Sequence, residues 1–319
     1  FEVVKDSVQI MRGCFGGCSF CSLSAHQGRI IQSRSERSVL AELHQLAEAQ
    51  DFRGTISDLG GPTANMYRMN CTRPDIRAKC RRPSCLYPTI CRLLETDHEP
   101  IIRLMAAARR VPGIRNVVVA SGVRMDLAQR SERYIEELAL HHTGGLLKVA
   151  PEHSHCDVLR LMHKPPIGVF DAFRRKFERA AAHSGRQLFL VPYFMAGHPG
   201  CDLHAMIDLA LFLKQHHLRP EQVQDFIPAP MDLATCMYHT GIDPLSGENV
   251  HVARGARERR LQRALLQYFM PQNYDDVRLA LEEAGRTDLI GDHPGCLISA
   301  RRPASRGPRT GRAKHRRRR

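Results

Sequence analysis

The chain contains 319 residues, 43% of them hydrophobic, which is enough for one large domain or two smaller ones. Its formal net charge is +14, but residues 301–319 contribute ten Lys and Arg residues and no acidic residue. The first 300 residues therefore carry 37 basic residues against 33 acidic ones, so the body of the protein is not notably basic. No apolar run approaches the ~20 residues needed to cross a bilayer, and no secretory signal is visible. We expect a cytoplasmic protein without a membrane contact.

Strand and helix patterns alternate along the chain. Six strands are predicted, at Val8–Arg12, Thr55–Leu59, Asn116–Ser121, Gly145–Ala150, Gln187–Tyr193 and Val223–Ile227. Helices are predicted at Ser35–Gln50, Glu99–Arg110, Ser131–His142, Asp171–His183, Asp202–Gln215, Ala256–Phe269 and Asp275–Ala284, from apolar residues at helical spacing. Repeated strand–helix units predict an α/β fold with a parallel sheet and right-handed crossovers.

The same pattern divides the chain into three parts. Residues 1–250 form the predicted core, residues 251–298 a helical C-terminal extension, and residues 299–319 a basic tail. The tail is rich in Pro, Gly, Ser and Arg and has too little apolar surface to fold, so we expect it to be disordered. Such a tail would contact RNA weakly and in a salt-dependent way.

Three cysteines follow the first predicted strand at close spacing. Cys14, Cys18 and Cys21 form a Cys-x₃-Cys-x₂-Cys pattern, and the chain has no export signal that would favour disulfides. A [4Fe–4S] cluster is normally held by four cysteines, so three would leave one iron open to a small ligand. Gly16 and Gly17 suit a loop that wraps closely. The alternatives are a zinc knuckle and a disulfide loop, but structural zinc prefers four closed ligands.

This loop resembles that of the radical S-adenosylmethionine (SAM) enzymes, including an aromatic residue, Phe20, just before the third cysteine. The resemblance implies a partial (β/α)6 barrel, a [4Fe–4S] cluster whose open iron binds SAM, and reductive cleavage to a 5′-deoxyadenosyl radical. It also implies an electron donor such as flavodoxin or ferredoxin, and a substrate that the resemblance does not name.

Longer motifs are similar to the YgiQ-type radical SAM family. They are SFCSLSAHQGRIIQSRS, TISDLGGPTANMY, CRRPSCLYPTIC and LLKVAPEHS. The similarity covers approximately residues 8 to 298. Members of that family carry a further N-terminal domain, and this chain begins at Phe1 and enters a strand almost at once. We therefore expect a fragment or a shortened gene product.

Several residues at predicted strand ends are candidates for binding SAM. Gly60 and Gly61 lie where radical SAM enzymes place a glycine-rich segment that accepts from the methionine amino group, although Pro62 and Thr63 replace the acidic residue usual in the family. The segments APEHSHCDVLRLMHKP and PYFMAGHPG also resemble the branch that contains methylthiotransferases and Elongator-type proteins. That resemblance implies that Lys164 contacts the SAM carboxylate, as a charge without the arginine fork.

Glu152 is a candidate for the ribose hydroxyls of SAM, because it lies at a predicted strand end. The alternative is an acidic residue that stabilises a helix N-terminus through the macrodipole.

A second group of cysteines lies in a Pro- and Arg-rich insertion at about residues 71–91. Its members are Cys71, Cys80, Cys85 and Cys91. A segment with few large apolar residues has little core of its own, so a metal could order it. We expect a second iron–sulfur cluster or a zinc ion. The alternative is a set of reduced thiols, some buried as small apolar groups.

Two hypotheses of different class follow. In the first, the chain is a radical SAM enzyme. In the second, it is a metal-stapled nucleic-acid-binding protein in which all the cysteines are structural and the basic tail binds RNA. The strand–helix repeats and the unusual strand ends favour the first hypothesis, because a zinc module needs neither.

Overall fold

A computed structural model describes residues 4–303 and shows an α/β fold with parallel strands. Its strands are β1 (Ser7–Gln9), β2 (Met11–Arg12), β3 (Gln32–Ser33), β4 (Thr55–Ile56), β5 (Asp58–Gly60), β6 (Asn116–Val117), β7 (Leu146–Glu152), β8 (Phe189–Ala196) and β9 (Gln224–Asp225). β1 pairs with β5, β4 with β6, β7 with β8 and β8 with β9, all of them parallel. Each of these pairs joins consecutive predicted strands, as expected for the partial (β/α)6 barrel, but no strand pairing joins β6 to β7 among the described residues.

All six predicted strands are present, with three differences. The second strand is interrupted at Ser57, so that its first half, β4, pairs with β6 and its second half, β5, pairs with β1. The first strand is interrupted at Ile10, and its second half, β2, pairs antiparallel with β3, which the sequence pattern did not predict. The third and sixth strands are only two residues long, at Asn116–Val117 and Gln224–Asp225. Their flanking residues stay close to the neighbouring strand, since the Leu59 amide donates to the Val118 carbonyl at 2.8 Å.

The helices connect these strands. They are α1 (Leu23–His26), α2 (Glu36–Ala47), α3 (Pro74–Lys79), α4 (Glu99–Ala108), α5 (Met125–Ala128), α6 (Glu132–Glu137), α7 (Cys156–Leu161), α8 (Gly168–His183), α9 (Leu203–Gln215), α10 (Leu233–Thr240), α11 (Ala256–Leu266) and α12 (Tyr274–Glu283). All seven predicted helices are present, and α6 continues as a π-helical turn over Leu138–His142. The short helices α1, α3, α5, α7 and α10 were not predicted, because four to eight residues carry little periodic signal.

Side-chain caps mark where α2 and α9 begin. Ser35 accepts a hydrogen bond from the Ser38 amide at 3.2 Å, and Asp202 accepts one from the Ala205 amide at 2.8 Å. Each cap satisfies a backbone donor that the helix itself leaves unpaired, which stabilises a helix by about 1 kcal/mol.

Two apolar clusters form the core. The first lies around β1, β5 and β6 and is covered by α2, α4, α6 and α8. The second joins β8 to α9, α11 and α12, with Leu261, Leu265 and Val277 completely buried. The helices of the C-terminal extension thus share a core with the last strands of the sheet.

In the part of the chain that is described, no helix is both long enough and apolar enough to cross a membrane. The predicted basic tail lies largely outside the described residues, from residue 304 onward.

Candidate active site

The three cysteines of the first group lie on one loop directly after β2, at the carboxyl end of the first strand. The Gly16 amide donates to the Cys14 sulfur at 3.3 Å, and the Cys21 amide donates to the Cys18 carbonyl at 3.2 Å. A Cβ atom at Gly16 would lie 3.2 Å from the Cys14 sulfur and 3.6 Å from that of Cys18. Glycine at this position therefore leaves the space between two thiols open.

Burial and mutual repulsion act on these thiols. Burial raises the pKa of Cys21 to about 11, and the neighbouring Cys18 and Cys14 add to that shift. The pKa of Cys14 is raised for the same two reasons, while Arg124 and Lys164 oppose the shift. The three thiols are thus close enough to interact electrostatically, and the cations Arg124 and Lys164 lie near them.

The donor set fits an iron–sulfur cluster. The sulfurs of Cys14, Cys18 and Cys21 do not all lie within 4.8 Å of one another. Tetrahedral zinc with Zn–S bonds of ~2.3 Å would bring its sulfurs to about 3.8 Å apart. Three half-buried thiols at wider spacing, around an open space kept by a glycine, suit a cluster better than a single ion.

Arg124 is a cation in direct contact with this loop, and sequence reasoning missed it. It follows the third strand, and its Nη1 atom donates to the Cys18 sulfur at 3.7 Å. Asp126 accepts from its Nε atom at 3.0 Å and from its Nη2 atom, and both side chains are nearly buried. Burial disfavours the charge on Arg124, but Asp126 and Cys18 outweigh burial and raise its pKa. Arg124 is therefore a permanent positive charge beside the thiols.

The segment after Gly60 and Gly61 holds Arg124 in place. The buried Asn65 side chain accepts from the Arg124 amide at 3.0 Å and donates to the Arg124 carbonyl at 2.9 Å. The Thr63 hydroxyl also accepts from the Arg124 amide, at 3.1 Å. Thr63 is one of the two residues that replace the acidic residue usual in the family. Through these hydrogen bonds, the segment after the second strand fixes the backbone of the loop after the third strand.

Gly60 and Gly61 are required by close packing. A Cβ atom at Gly60 would lie 2.1 Å from the Ser121 hydroxyl, and one at Gly61 would lie 2.8 Å from the Met11 carbonyl. The Gly60 carbonyl already accepts from the Ile10 amide at 2.8 Å. The predicted contact of these glycines with the methionine amino group stays a prediction.

Glu152 and Lys164 form a buried pair at the end of the fourth strand. Lys164 Nζ lies 4.0 Å from Glu152 Oε1, and both side chains are less than a tenth exposed. Burial raises the pKa of Glu152, with Lys164 and Arg124 opposing the shift. Oε2 of Glu152 is buried and has no hydrogen-bond partner. A buried acceptor without a donor is costly, so this atom is ready for a hydroxyl donor from a ligand.

The backbone at Glu152 is unusual. A β-bulge shifts the register between Val149 and Glu152, and Glu152 has a φ of 71°. Positive φ at a residue with a side chain costs about 1–3 kcal/mol and clusters at functional sites. The alternative of a helix N-terminal acid does not fit, because α7 begins at Cys156 with His155 as its N-cap.

A cavity of about 380 Å³ lies at the carboxyl ends of the strands. Thr63, Ser121, Arg124, Lys164 and Tyr193 are among the residues that line it. Its volume falls in the range typical of small-molecule sites, and in βα barrels this end of the strands carries the chemistry. Arg124 lines the cavity and also donates to the Cys18 sulfur at 3.7 Å, so the cavity adjoins the cysteine loop.

Phe20 connects the cysteine loop to the last strands. Its ring meets the His198 imidazole edge-on, with centroids 5.8 Å apart. Burial lowers the pKa of His198 to about 4, so the ring is neutral at physiological pH. Its Nδ1 donates to the Pro199 carbonyl at 2.7 Å, which leaves Nε2 to accept from the Ser19 hydroxyl at 3.3 Å. His198 thus stabilises the loop, and any contact of Phe20 with SAM stays a prediction.

The second cysteine group is brought together as well. Cys71, Cys80, Cys85 and Cys91 all line one small pocket in the insertion, next to Phe15 of the cysteine loop. Ser84 joins the insertion to that loop, because its buried hydroxyl donates to the Gly16 carbonyl at 2.7 Å. Neither Ser84 nor its role was predicted, since a serine in a Pro- and Arg-rich segment is an ordinary loop residue.

Residues 8–213 match the model of the radical SAM superfamily, and residues 221–319 match a domain of unknown function (DUF3362). The chain belongs to the radical SAM superfamily. A UPF0313 protein of Rhodopseudomonas palustris is 50% identical over 318 residues, covering 98% of this chain and 47% of the relative. One from Vibrio cholerae is 51% identical over 305 residues, covering 93% and 39%.

The UPF0313 family is the YgiQ-type family, so the resemblance stated from the sequence motifs is confirmed. The chain spans less than half the length of these relatives.

Solved structures also overlap in part. Coproporphyrinogen III oxidase (HemN) from Escherichia coli, titled a radical SAM enzyme, aligns with a TM-score of 0.47 and 14% identity, covering 89% of this chain and 55% of that one. The radical SAM methyltransferase TsrM from Kitasatospora setae aligns with a TM-score of 0.44 and 14% identity, covering 69% and 35%. Both scores are below 0.5, so the superfamily assignment depends on the sequence match.

Proposed function

We propose that the chain binds a [4Fe–4S] cluster through Cys14, Cys18 and Cys21 and cleaves SAM reductively. When bound, the cluster supplies one electron that splits SAM into methionine and a 5′-deoxyadenosyl radical, for hydrogen abstraction from a substrate still to be identified. The observation that carries the proposal is the loop itself: three coupled thiols at the end of the first strand, beside a strand-end cavity. Membership of the radical SAM superfamily supports it.

The other residues of the site would bind and orient SAM. Lys164, at the wall of the cavity, would pair with the carboxylate, and the unpartnered Oε2 of Glu152 would accept from a ribose hydroxyl. Gly60 and Gly61 would offer backbone acceptors to the amino group, and Phe20 would contact the nucleoside.

Arg124 would stabilise the negative charge that collects on three thiolates, because it donates to the Cys18 sulfur and keeps its own charge. Its pairing with Asp126 fixes the guanidinium, and Asn65 fixes the backbone beneath it. The alternative of a metal-stapled nucleic-acid-binding protein gives none of these strand-end residues a role.

We further propose that flavodoxin or ferredoxin supplies the electron, and that the basic tail makes only weak, salt-dependent contacts with RNA. The net charge of the first 300 residues is small, so the tail carries most of the attraction. The RNA contact takes no part in the chemistry at the cysteine loop.

The test is anaerobic reconstitution of the chain with iron and sulfide, followed by incubation with SAM and dithionite. We expect a brown protein that releases 5′-deoxyadenosine, and we expect Cys18→Ser to release none. Cys236→Ser is the matched control, because Cys236 is exposed and lies outside both cysteine groups. A wild-type chain that binds no iron, or a Cys18→Ser chain that cleaves SAM as well as the control, would overturn the proposal.

A further inference from the structure

Four cysteines of the insertion surround a single small pocket of about 70 Å³. They come from different turns of the backbone, so their convergence is a property of the fold. Cys71 pairs with Leu94 in an isolated antiparallel bridge, and Cys80 directly follows α3. The Cys85 amide donates to the Phe15 carbonyl at 3.1 Å, and the Cys91 amide donates to the Cys85 carbonyl at 2.8 Å. The backbone therefore presents four thiols to one space.

We propose that Cys71, Cys80, Cys85 and Cys91 bind a second iron–sulfur cluster, which lies against the loop of the first. This inference goes beyond the proposed function, because SAM cleavage at the first cluster does not require it. Four cysteine ligands complete the coordination of a cubane, so this cluster has no open iron for SAM.

The insertion needs a bound group to be ordered. Between residues 71 and 91, Leu86 is the one large apolar side chain that is buried, and α3 buries none of its residues. Ordering each residue of a segment costs about 1–2 kcal/mol of backbone entropy, which one buried leucine cannot offset. Metal–thiolate bonds would add stability that so small an apolar core does not supply.

The spacing of the sulfurs favours a cluster over zinc. No three thiols of this group lie within 4.8 Å of one another among the described residues. A tetrahedral zinc site would bring its sulfurs to about 3.8 Å apart. The sulfurs of the first cysteine group, which is proposed to hold a cluster, likewise do not all lie within 4.8 Å of one another.

The charges around the pocket also suit a cluster. Arg29, Arg77 and Arg82 line the pocket, and no acidic residue is among the side chains that line it. Arg29 Nη2 donates to the Cys80 carbonyl at 2.9 Å. Four thiolates around a cubane carry a net negative charge, which these arginines would stabilise.

The two cysteine groups are separated by little more than one stretch of backbone. Phe15 lines the second pocket, while its neighbours Cys14 and Gly16 belong to the first loop. The Ser84 hydroxyl donates to the Gly16 carbonyl and accepts from the Leu86 and Tyr87 amides at 3.0 and 2.9 Å. The second cluster would therefore hold the insertion that supports the first loop.

His163 adds a further contact between the insertion and the first cysteine loop. Its Nδ1 donates to the Gly17 carbonyl at 3.1 Å, and its ring stacks on Tyr87 with centroids 4.9 Å apart. His163 directly precedes Lys164, so the insertion, the first loop and the candidate SAM site are in direct contact.

The test is iron and zinc analysis of the anaerobically reconstituted chain in which Cys14, Cys18 and Cys21 are all replaced by Ala. We expect about four irons per chain to remain, against about eight in the wild type and in Cys236→Ser. About one zinc in place of iron, or no metal at all, would overturn the proposal. Because this variant cannot bind the first cluster, the result does not depend on SAM cleavage.

A second measurement covers the case in which the triple variant fails to fold. Electron paramagnetic resonance of the dithionite-reduced wild type should show two cluster signals, and SAM should change only one of them. Replacing Cys80, whose thiol is solvent-accessible, by Ser should alter the signal that SAM leaves unchanged. A single signal that is the same in wild type and Cys80→Ser would overturn the proposal.

Discussion

The space between the thiols of Cys14 and Cys18 offers a direct test of the site, through Gly16→Ala. The new methyl group would lie 3.2 Å from one sulfur and 3.6 Å from the other, and 3.4 Å from Arg124 Nη1. Gly16 does not have a positive φ, so alanine causes no backbone strain there. Any effect of the substitution comes from the methyl group itself.

The magnitude follows from the cost of overpacking. An added methyl in a closely packed place costs about 1–3 kcal/mol, which corresponds to about 5- to 150-fold weaker binding of the group that needs the space. We expect Gly16→Ala to bind iron at the first site more weakly by such a factor, measured with limiting iron. The variant should form 5′-deoxyadenosine correspondingly slowly. The free thiols can rotate away from the methyl, so the metal-free chain should unfold at nearly the wild-type urea concentration.

The assay is iron titration with SAM cleavage measured on the same samples. Gly168→Ala is the matched control, because a Cβ atom at Gly168 meets nothing within 4 Å. A Gly16→Ala chain that binds iron and cleaves SAM as well as Gly168→Ala would refute the assignment of this space to the cluster.

Three further predictions concern other parts of the chain. Ser84→Ala should lower the free energy of unfolding by about 1–3 kcal/mol in urea denaturation, because it leaves the Leu86 and Tyr87 amides without their buried acceptor; an unchanged midpoint would contradict the support that we assign to Ser84. Burial raises the pKa of Glu152, so its contribution to stability is greatest at acidic pH and is lost as pH rises through that pKa. Glu152→Gln should therefore gain stability relative to wild type as the pH rises above the ordinary pKa of a glutamate carboxyl, and a constant difference would show that the shift is absent. Deletion of residues 301–319 should lower RNA binding and its salt dependence and leave SAM cleavage unchanged; a large loss of cleavage would contradict that separation.

Much of the fold could be predicted because its signals are local. The apolar strands, the serine and aspartate caps and the helical spacing of buried residues each lie within a short window of sequence. The spacing of Cys14, Cys18 and Cys21 is equally local, and it places them on a single loop. These features do not depend on distant parts of the chain.

The rest of the site depends on contacts between distant residues. Arg124 lies beside Cys18 only because the third strand is adjacent to the second, and Asn65 clamps it from the loop between them. Nothing in the sequence around Ser84 marks it as the residue that contacts Gly16. The conformation of Glu152 arises from a register shift between two strands, which the sequence pattern does not show.

The most direct test of the central claim is the ratio of products from SAM. Anaerobically reconstituted chain should form methionine and 5′-deoxyadenosine in equal amounts, both dependent on dithionite, and Cys18→Ser should form neither. Methionine without 5′-deoxyadenosine, or equal product from wild type and Cys18→Ser, would contradict the assignment of SAM cleavage to the loop of Cys14, Cys18 and Cys21.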